Sequence, residues 1–125
     1  MIGVMIGSAL YLAAMQAAVN VPRAAFSACL KQAGQKATAE KVQPDAYSAY
    51  IKGLCTSESA AFKNALVSFD VKNGIGRKQA ATDADVQIED YIVGSFESYQ
   101  ARFPVDPKAA ATTAPPAPTP ASSPQ

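Results

Sequence analysis

The chain has 125 residues, 49% of them hydrophobic and 17% charged, and its formal net charge is +1. That length has room for one domain, and the near balance of charge argues against nucleic-acid binding, which depends on clustered Lys and Arg. The chain contains no histidine, which removes Ser-His-Asp and Cys-His nucleophiles and most zinc or haem sites. We therefore expect no catalytic residue, no cofactor and no metal site, and hence a protein that is not an enzyme.

The distribution of charge divides the chain into three segments. Every Lys, Arg, Asp and Glu lies between Arg23 and Lys108, so both ends are uncharged. We interpret residues 1–22 as a signal peptide or an apolar N-terminal helix, 23–103 as a helical domain and 104–125 as a tail. A body of about eighty residues has only a marginal hydrophobic core, so a covalent cross-link would add useful stability.

The opening run from Met1 to Met15 is uncharged and mostly apolar. It has the length of a signal-peptide core and is short for a membrane span, although no basic residue precedes it. Small residues at Ala17 and Ala18 offer a cleavage site. We expect a cleaved signal peptide, and therefore a periplasmic or secreted protein. The alternatives are a membrane anchor formed by residues 1–22 and an ordinary buried N-terminal helix.

Two stretches with helical spacing of apolar residues flank a break at Val42-Gln43-Pro44-Asp45. The first is predicted to begin at Pro22, with Asn20 as its cap, and to fray near Gly34. The second begins at the end of that break. Their apolar stripes, read at i, i+3, i+4 spacing, are Phe26, Cys29, Leu30, Ala33 and Ala37, then Tyr47, Tyr50, Ile51, Leu54 and Cys55.

Two further helices follow in the sequence. Thr56 and Ser57 are cap residues for a third helix, which Asn73-Gly74 is predicted to end with a left-handed cap. The last helix is expected to begin near Thr82 or Asp83. Its first turns then hold four acidic residues, which oppose the positive end of the helix dipole. The two stripes are Phe62, Ala65, Leu66 and Phe69, then Ile88, Tyr91, Ile92, Phe96, Tyr99 and Phe103.

The fold class that follows from these elements is all-α. No stretch alternates polar and apolar residues for long enough to form a convincing strand. About four helices with short connections predict a small antiparallel bundle, built either as an up-and-down bundle or as two stacked helical hairpins.

The only two cysteines, Cys29 and Cys55, each lie thirteen residues from position 42. If the chain reverses at that position, antiparallel helices bring the two sulfurs level with each other. A redox pair would need C-x-x-C spacing or a nearby base. We therefore predict a structural disulfide, which requires an oxidising compartment. Two free buried cysteines are the alternative.

Few other residues point to a site. Asp85 and Glu89 share a helix face, but acids at a helix N-terminus need no catalytic explanation. The Gly74-Ile75-Gly76-Arg77-Lys78 segment is more typical of a helix-to-helix turn than of a phosphate-binding loop. Tyrosines on the apolar stripes suit the edges of a core, and they would line a groove for an apolar ligand or a partner helix if one face stays uncovered. No partner-binding residue is identified.

Residues 104–125 are rich in Pro, Ala, Thr and Ser, and seven of the nine prolines lie there. This composition predicts a disordered, extended tail that acts as a spacer or as a tether that docks a partner.

Taken together, these features lead us to expect a non-enzymatic, exported helical domain of the cell envelope that binds a protein or apolar partner. The alternatives are a membrane-anchored subunit of a larger envelope assembly and a structural or chaperone-like protein with no ligand site. Membrane contact is expected only if residues 1–22 are retained, and the oligomeric state is left open.

Overall fold

The structure is a computed structural model that describes residues 6–103, with side chains described from residue 13 onward. The prediction of an all-α bundle with about four helices is confirmed. The tail predicted over residues 104–125 lies outside the described residues. The helices are α1 (Ile6–Ala39), α2 (Pro44–Leu54), α3 (Thr56–Lys72) and α4 (Arg77–Arg102).

The four helices form three rods, because only Cys55 separates α2 from α3. These two helices barely touch side by side, whereas both pack against α1 and against α4. The chain runs along α1, returns through α2 and α3, and runs forward again through α4, so that α1 and α4 are parallel. The three rods differ in detail from both predicted arrangements, the up-and-down four-helix bundle and the two stacked hairpins, because a one-residue connection is too short to bring α3 back alongside α2.

The chain reverses at the predicted break between the first two helices. Lys41 takes a left-handed conformation with φ 54°, and the Val42 N–H donates to the Ala37 carbonyl at 2.9 Å. α2 then begins at Pro44, where the missing N–H costs nothing because a first-turn residue has no helical acceptor. This turn places α2 antiparallel to α1 and sets the register of the two cysteines.

α1 is continuous through Pro22 and Gly34, so both predicted limits of this helix were wrong. Pro22 lacks the N–H that would bond to the Ala18 carbonyl, but Ala18 is exposed to water. Asn20 is not a cap, since its side-chain oxygen accepts a hydrogen bond from Arg23 at 3.2 Å. Gly34 is buried under a side chain of α2, and this packing outweighs its low helix propensity.

α3 ends at Asn73-Gly74 as predicted, with Gly74 in the left-handed region at φ 93°. The following residues form the expected helix-to-helix turn. α4 begins at Arg77, well before the predicted Thr82, because Gly76 supplies an extended residue (φ −60°, ψ 142°) and good helix formers follow it. The first turn of α4 therefore holds no acidic residue, and the dipole explanation for its acids was wrong.

Most of the core comes from the predicted stripes, although Leu54 is 43% exposed. Val19, Ala80 and Ala84 are buried as well and belonged to no predicted stripe. Phe26 of α1, Phe62 of α3 and Tyr91 of α4 form a first aromatic cluster, with ring centroids 5.7, 5.8 and 5.9 Å apart. A second cluster surrounds Tyr47 and Tyr99 nearer the α1–α2 turn. The fully buried members of the core include Phe26, Ala37, Tyr47, Ile51, Cys55, Phe62, Ala80 and Ala84.

Burial in α1 begins at Val19, which is 6% exposed. Among the side chains described before it, from Ala13 to Ala18, none is buried. Within residues 6–103, none of the helices combines the length and the apolar character that crossing a bilayer demands.

Candidate functional site

Cys29 and Cys55 form the predicted disulfide, with their Cα atoms 5.9 Å apart. The bond joins the middle of α1 to the junction of α2 and α3, and Cys55 is completely buried. Glutathione and thioredoxin keep cytosolic thiols reduced, so a structural disulfide indicates an oxidising, extracytoplasmic compartment.

The disulfide lies at the junction of α2 and α3, within the rod that these two helices form. The Cys55 N–H donates to the Ile51 carbonyl at 3.0 Å, and the Cys55 carbonyl accepts from the Ser59 N–H at 2.9 Å. Helical i to i+4 hydrogen bonds therefore continue on both sides of the junction. Thr56 was predicted to cap α3, but it does not. Its hydroxyl donates back to the Lys52 carbonyl at 3.0 Å. The cross-link therefore fixes the position where α2 gives way to α3.

The acidic pair of α4 is divided between two lysines. Asp85 contacts Lys63 of α3 at 2.6 Å, and Glu89 contacts Lys52 of α2 at 3.0 Å. Each carboxylate faces its own ammonium group across the rod interface, so the two do not form a paired-carboxylate site. Exposed pairs of this kind contribute between about 0 and 1 kcal/mol each. Among the residues that the structure describes, no cluster of three or more His, Cys, Asp or Glu side chains could hold a metal ion.

An open groove of about 660 Å³ lies between the parallel helices α1 and α4, and we call it the α1–α4 groove. Among the described residues that line it, none is acidic. Its floor contains the buried residues Gly34 and Tyr47, and its walls carry Ser27, Lys31 and Gln35 from α1 and Tyr91, Gly94, Ser95, Ser98 and Arg102 from α4.

The floor of the groove is fixed by a close contact between α1 and α2. A Cβ on Gly34 would lie 3.0 Å from the Tyr47 hydroxyl oxygen. That hydroxyl shares a hydrogen bond of 2.7 Å with Ser95 of α4, and the Tyr47 ring stacks on Tyr99 with centroids 4.0 Å apart. Three rods therefore meet at this tyrosine, and the glycine is what permits its hydroxyl to reach α4.

The walls of the groove carry two cations, Lys31 and Arg102. None of the ion pairs formed within residues 13–103 involves either of them. The Arg102 Nε donates to the Ser98 carbonyl at 3.0 Å, which leaves its terminal nitrogens available to other acceptors. Together with the serine hydroxyls and the Gln35 amide, these groups make the groove rich in hydrogen-bond donors.

Two further tyrosines lie outside the lining and close the α1–α2 turn. The Tyr99 hydroxyl donates to the Val42 carbonyl, and the Ala37 carbonyl lies 3.2 Å away. Burial is the main cause that raises the pKa of Tyr99, and the neighbouring Tyr47 raises it further. The Tyr50 hydroxyl donates to Glu40 at 2.7 Å. Burial, this hydrogen bond and the charge of Glu40 raise the pKa of Tyr50 to about 12.

We expect stability to fall at alkaline pH because of these two tyrosines. Their folded-state pKa values lie above the ordinary value of 10.0, so the unfolded chain loses its protons first. The contribution of Tyr50 is complete below about pH 10 and is lost as pH rises towards about 12. The contribution of Tyr99 is lost in the same direction. Denaturant unfolding at stepped pH measures this fall, and Tyr50→Phe should make it shallower. An unchanged slope in Tyr50→Phe would refute the explanation.

The two groove glycines should respond in opposite ways to alanine. Gly94 has nothing within 4 Å of an added Cβ, so Gly94→Ala gains roughly 0.5–1 kcal/mol from helix propensity. Gly34→Ala meets the Tyr47 hydroxyl, which stacking and a hydrogen bond hold in place, so we expect a net loss of about 1 kcal/mol. Urea denaturation of the two variants tests this, and a stabilised Gly34→Ala would contradict it.

A tyrosine-lined groove was expected from the sequence, but its polar character was not. Tyr47 and Tyr91 do line it, whereas Tyr50 and Tyr99 lie elsewhere. A signal was present on α4, where Tyr91, Ser95, Ser98 and Arg102 recur at helical spacing beside the apolar stripe. The matching residues on α1 could not be selected without knowing that α1 and α4 are neighbours.

Comparison with known proteins found no matching family, no matching curated protein and no matching solved structure.

Proposed function

We propose that this chain is an exported, non-enzymatic helical domain of the cell envelope that binds a protein partner in the α1–α4 groove. The groove carries this proposal, because it offers donors from both walls, has no carboxylate among its described lining residues and has a volume of about 660 Å³. That volume falls in the range of about 300–1,000 Å³ that is common for binding sites. Its polar walls favour a peptide segment over a purely apolar ligand.

Export is supported by where burial begins. The proposed cleavage site after Ala18 comes directly before Val19, the first buried residue among the described side chains. Removal of residues 1–18 therefore takes away no buried side chain that the structure describes. The disulfide supports the same conclusion, since it needs an oxidising compartment to form and persist.

A binding role is favoured over catalysis by the state of the polar residues. Asp85 and Glu89 each form an ion pair with a lysine, and the sequence has no histidine that could act as a base. The described lining of the groove presents donors and includes no carboxylate that could accept a proton. Such a set of groups suits recognition of carbonyl or carboxylate oxygens more than proton transfer.

Export can be tested by expressing the full chain in a Gram-negative host and isolating it from the periplasm. We expect a mature protein that begins at Val19 and gains two hydrogens in mass on reduction. Full-length protein recovered from the membrane or the cytoplasm, or a mass that reductant does not change, would refute export.

Partner binding is tested with a groove-filling variant and a matched control. Gly94→Gln places a side chain in the groove, whereas Gly53→Gln makes the same change on α2 outside it, and neither site has an atom within 4 Å of a new Cβ. Cross-linking in envelope extract should yield a partner with the wild type and with Gly53→Gln but not with Gly94→Gln. Equal yields from all three proteins would exclude the groove as the binding site.

One observation favours a membrane-anchored subunit as the second candidate. α1 continues without a break from Ile6 through Pro22 into the bundle, so a retained N-terminal segment would form a stiff extension of the domain. The mass measurement separates the two candidates, because the anchored form keeps residues 1–18 and fractionates with membranes.

A further inference from the structure

We infer that residues 104–125 of this chain, called the tail below, dock in the α1–α4 groove of the same molecule. The inference rests on the proposed function, since it names an occupant for the proposed binding groove. It follows from three features: the hydrogen-bonding character of the groove, the composition of the tail and the place where the chain leaves α4.

The hydrogen-bonding groups of the groove and the tail complement each other. Lys31, Arg102, Gln35 and the serine hydroxyls donate from the groove, and among the described residues lining it none is acidic. Seven of the tail residues are prolines, each of which keeps a carbonyl acceptor but has no N–H. Polyproline-like chains leave their carbonyls unpaired, so they are recognised by grooves that supply donors and aromatic surfaces.

The groove also ends where the tail begins. Arg102 is its last lining residue on α4, and Pro104 follows two positions later. Between them Phe103 has φ −61° and ψ 127°, which is close to polyproline II geometry. Its ring lies 5.6 Å from that of Tyr99. The chain therefore leaves α4 in an extended conformation, from a point that packing holds beside the groove.

The length of the tail is sufficient for it to turn back. The groove follows α4 from Tyr91 to Arg102, a distance of about 16 Å at 1.5 Å per residue. About five residues in polyproline II geometry, at 3.1 Å each, span that distance. The Asp106-Pro107 step favours a turn soon after the helix ends. More than half of the tail then remains to lie along the groove.

Charge adds to this match. Asp106 is the only acidic side chain of the tail and Lys108 is its only basic one. Asp106 comes four positions after Arg102, close to the end of the groove. Lys31 and Arg102 take part in no ion pair within residues 13–103. A docked tail places an acid near these cations, and a partner has to displace it to enter the groove.

The test uses the full chain, labelled with nitrogen-15, as the wild type, Gly94→Gln and Gly53→Gln. In the wild type we expect a continuous stretch of about five or more tail residues to show heteronuclear NOE values near those of the helices. Gly94→Gln should return these values to those of a free chain, and Gly53→Gln should leave them as in the wild type. Tail amides that are equally mobile in all three proteins would overturn the inference.

Trypsin cleavage after Lys108 gives an independent readout in the same proteins. Docking should slow this cleavage at least threefold in the wild type and in Gly53→Gln relative to Gly94→Gln. Protection that disappears on tenfold dilution would overturn docking within one molecule, because it would show that the tail occupies a second copy. If the tail is free while Gly94→Gln still loses the cross-linked partner, this inference fails and the proposed function stands.

Discussion

Replacement of both cysteines by alanine is expected to lower the free energy of unfolding by about 3.5 kcal/mol. The bond closes a loop with a sequence separation of 26 residues, and the loop-entropy relation for that length predicts a loss of about this size. A domain of this size has a total stability of about 5–12 kcal/mol. The variant should therefore keep only part of its margin and melt at a markedly lower temperature.

Two controls separate the cross-link from the packing around it. Wild-type protein in excess reductant loses the bond but keeps both sulfur atoms. The decrease in its free energy of unfolding therefore reports on the cross-link alone. The double alanine variant adds a small cavity at Cys55, which is 0% exposed, and should be slightly less stable than the reduced protein. Guanidinium titration followed by circular dichroism measures both, and a loss below about 1 kcal/mol in each would contradict the entropic explanation.

The disulfide also limits the compartments in which the protein is stable. In a reducing compartment the chain would lack about 3.5 kcal/mol of stability, and a body with so small a core has little to replace it. Partial unfolding of the reduced form at moderate temperature would show that the domain depends on an oxidising compartment for its stability.

The parts of the fold that follow from periodicity were predictable. The stripe on α1 buries Phe26, Leu30, Ala33 and Ala37 as expected, since the side chains of one helix face are fixed by spacing alone. The cysteine register was also predictable, because it depends only on an antiparallel turn near position 42. Both inferences use distances along a single helix or a single hairpin.

The predictions that were wrong concern features that depend on contacts between rods. Pro22, Gly34 and Thr82 were taken as helix limits from local propensity, yet the helices run through all three. Gly34 shows the reason, since the Tyr47 side chain packs over it and tertiary contact outweighs the local cost. The polar walls of the groove were missed for a related reason: the groove lies between α1 and α4, whose adjacency follows from α2 and α3 forming one rod.

Phe26→Ala is the second large effect that we predict, with a loss of about 3–5 kcal/mol. Phe26 is 0% exposed and lies 5.9 Å from Phe62 of α3 and 5.8 Å from Tyr91 of α4. Its removal leaves a cavity where all three rods meet, and helices of this length cannot close that cavity without shifting the disulfide register. Thermal and urea denaturation should both show the loss.

Val21→Ala provides the matched control, because Val21 also lies on α1 but is 70% exposed. It should change stability by no more than about 0.5 kcal/mol. A double-mutant cycle with Phe62→Ala then measures the aromatic contact itself, for which we expect a coupling of about 0.5–1.5 kcal/mol. If Phe26→Ala cost as little as Val21→Ala, the three rods would not share one core, and the α1–α4 groove would lose the packing that fixes its two walls.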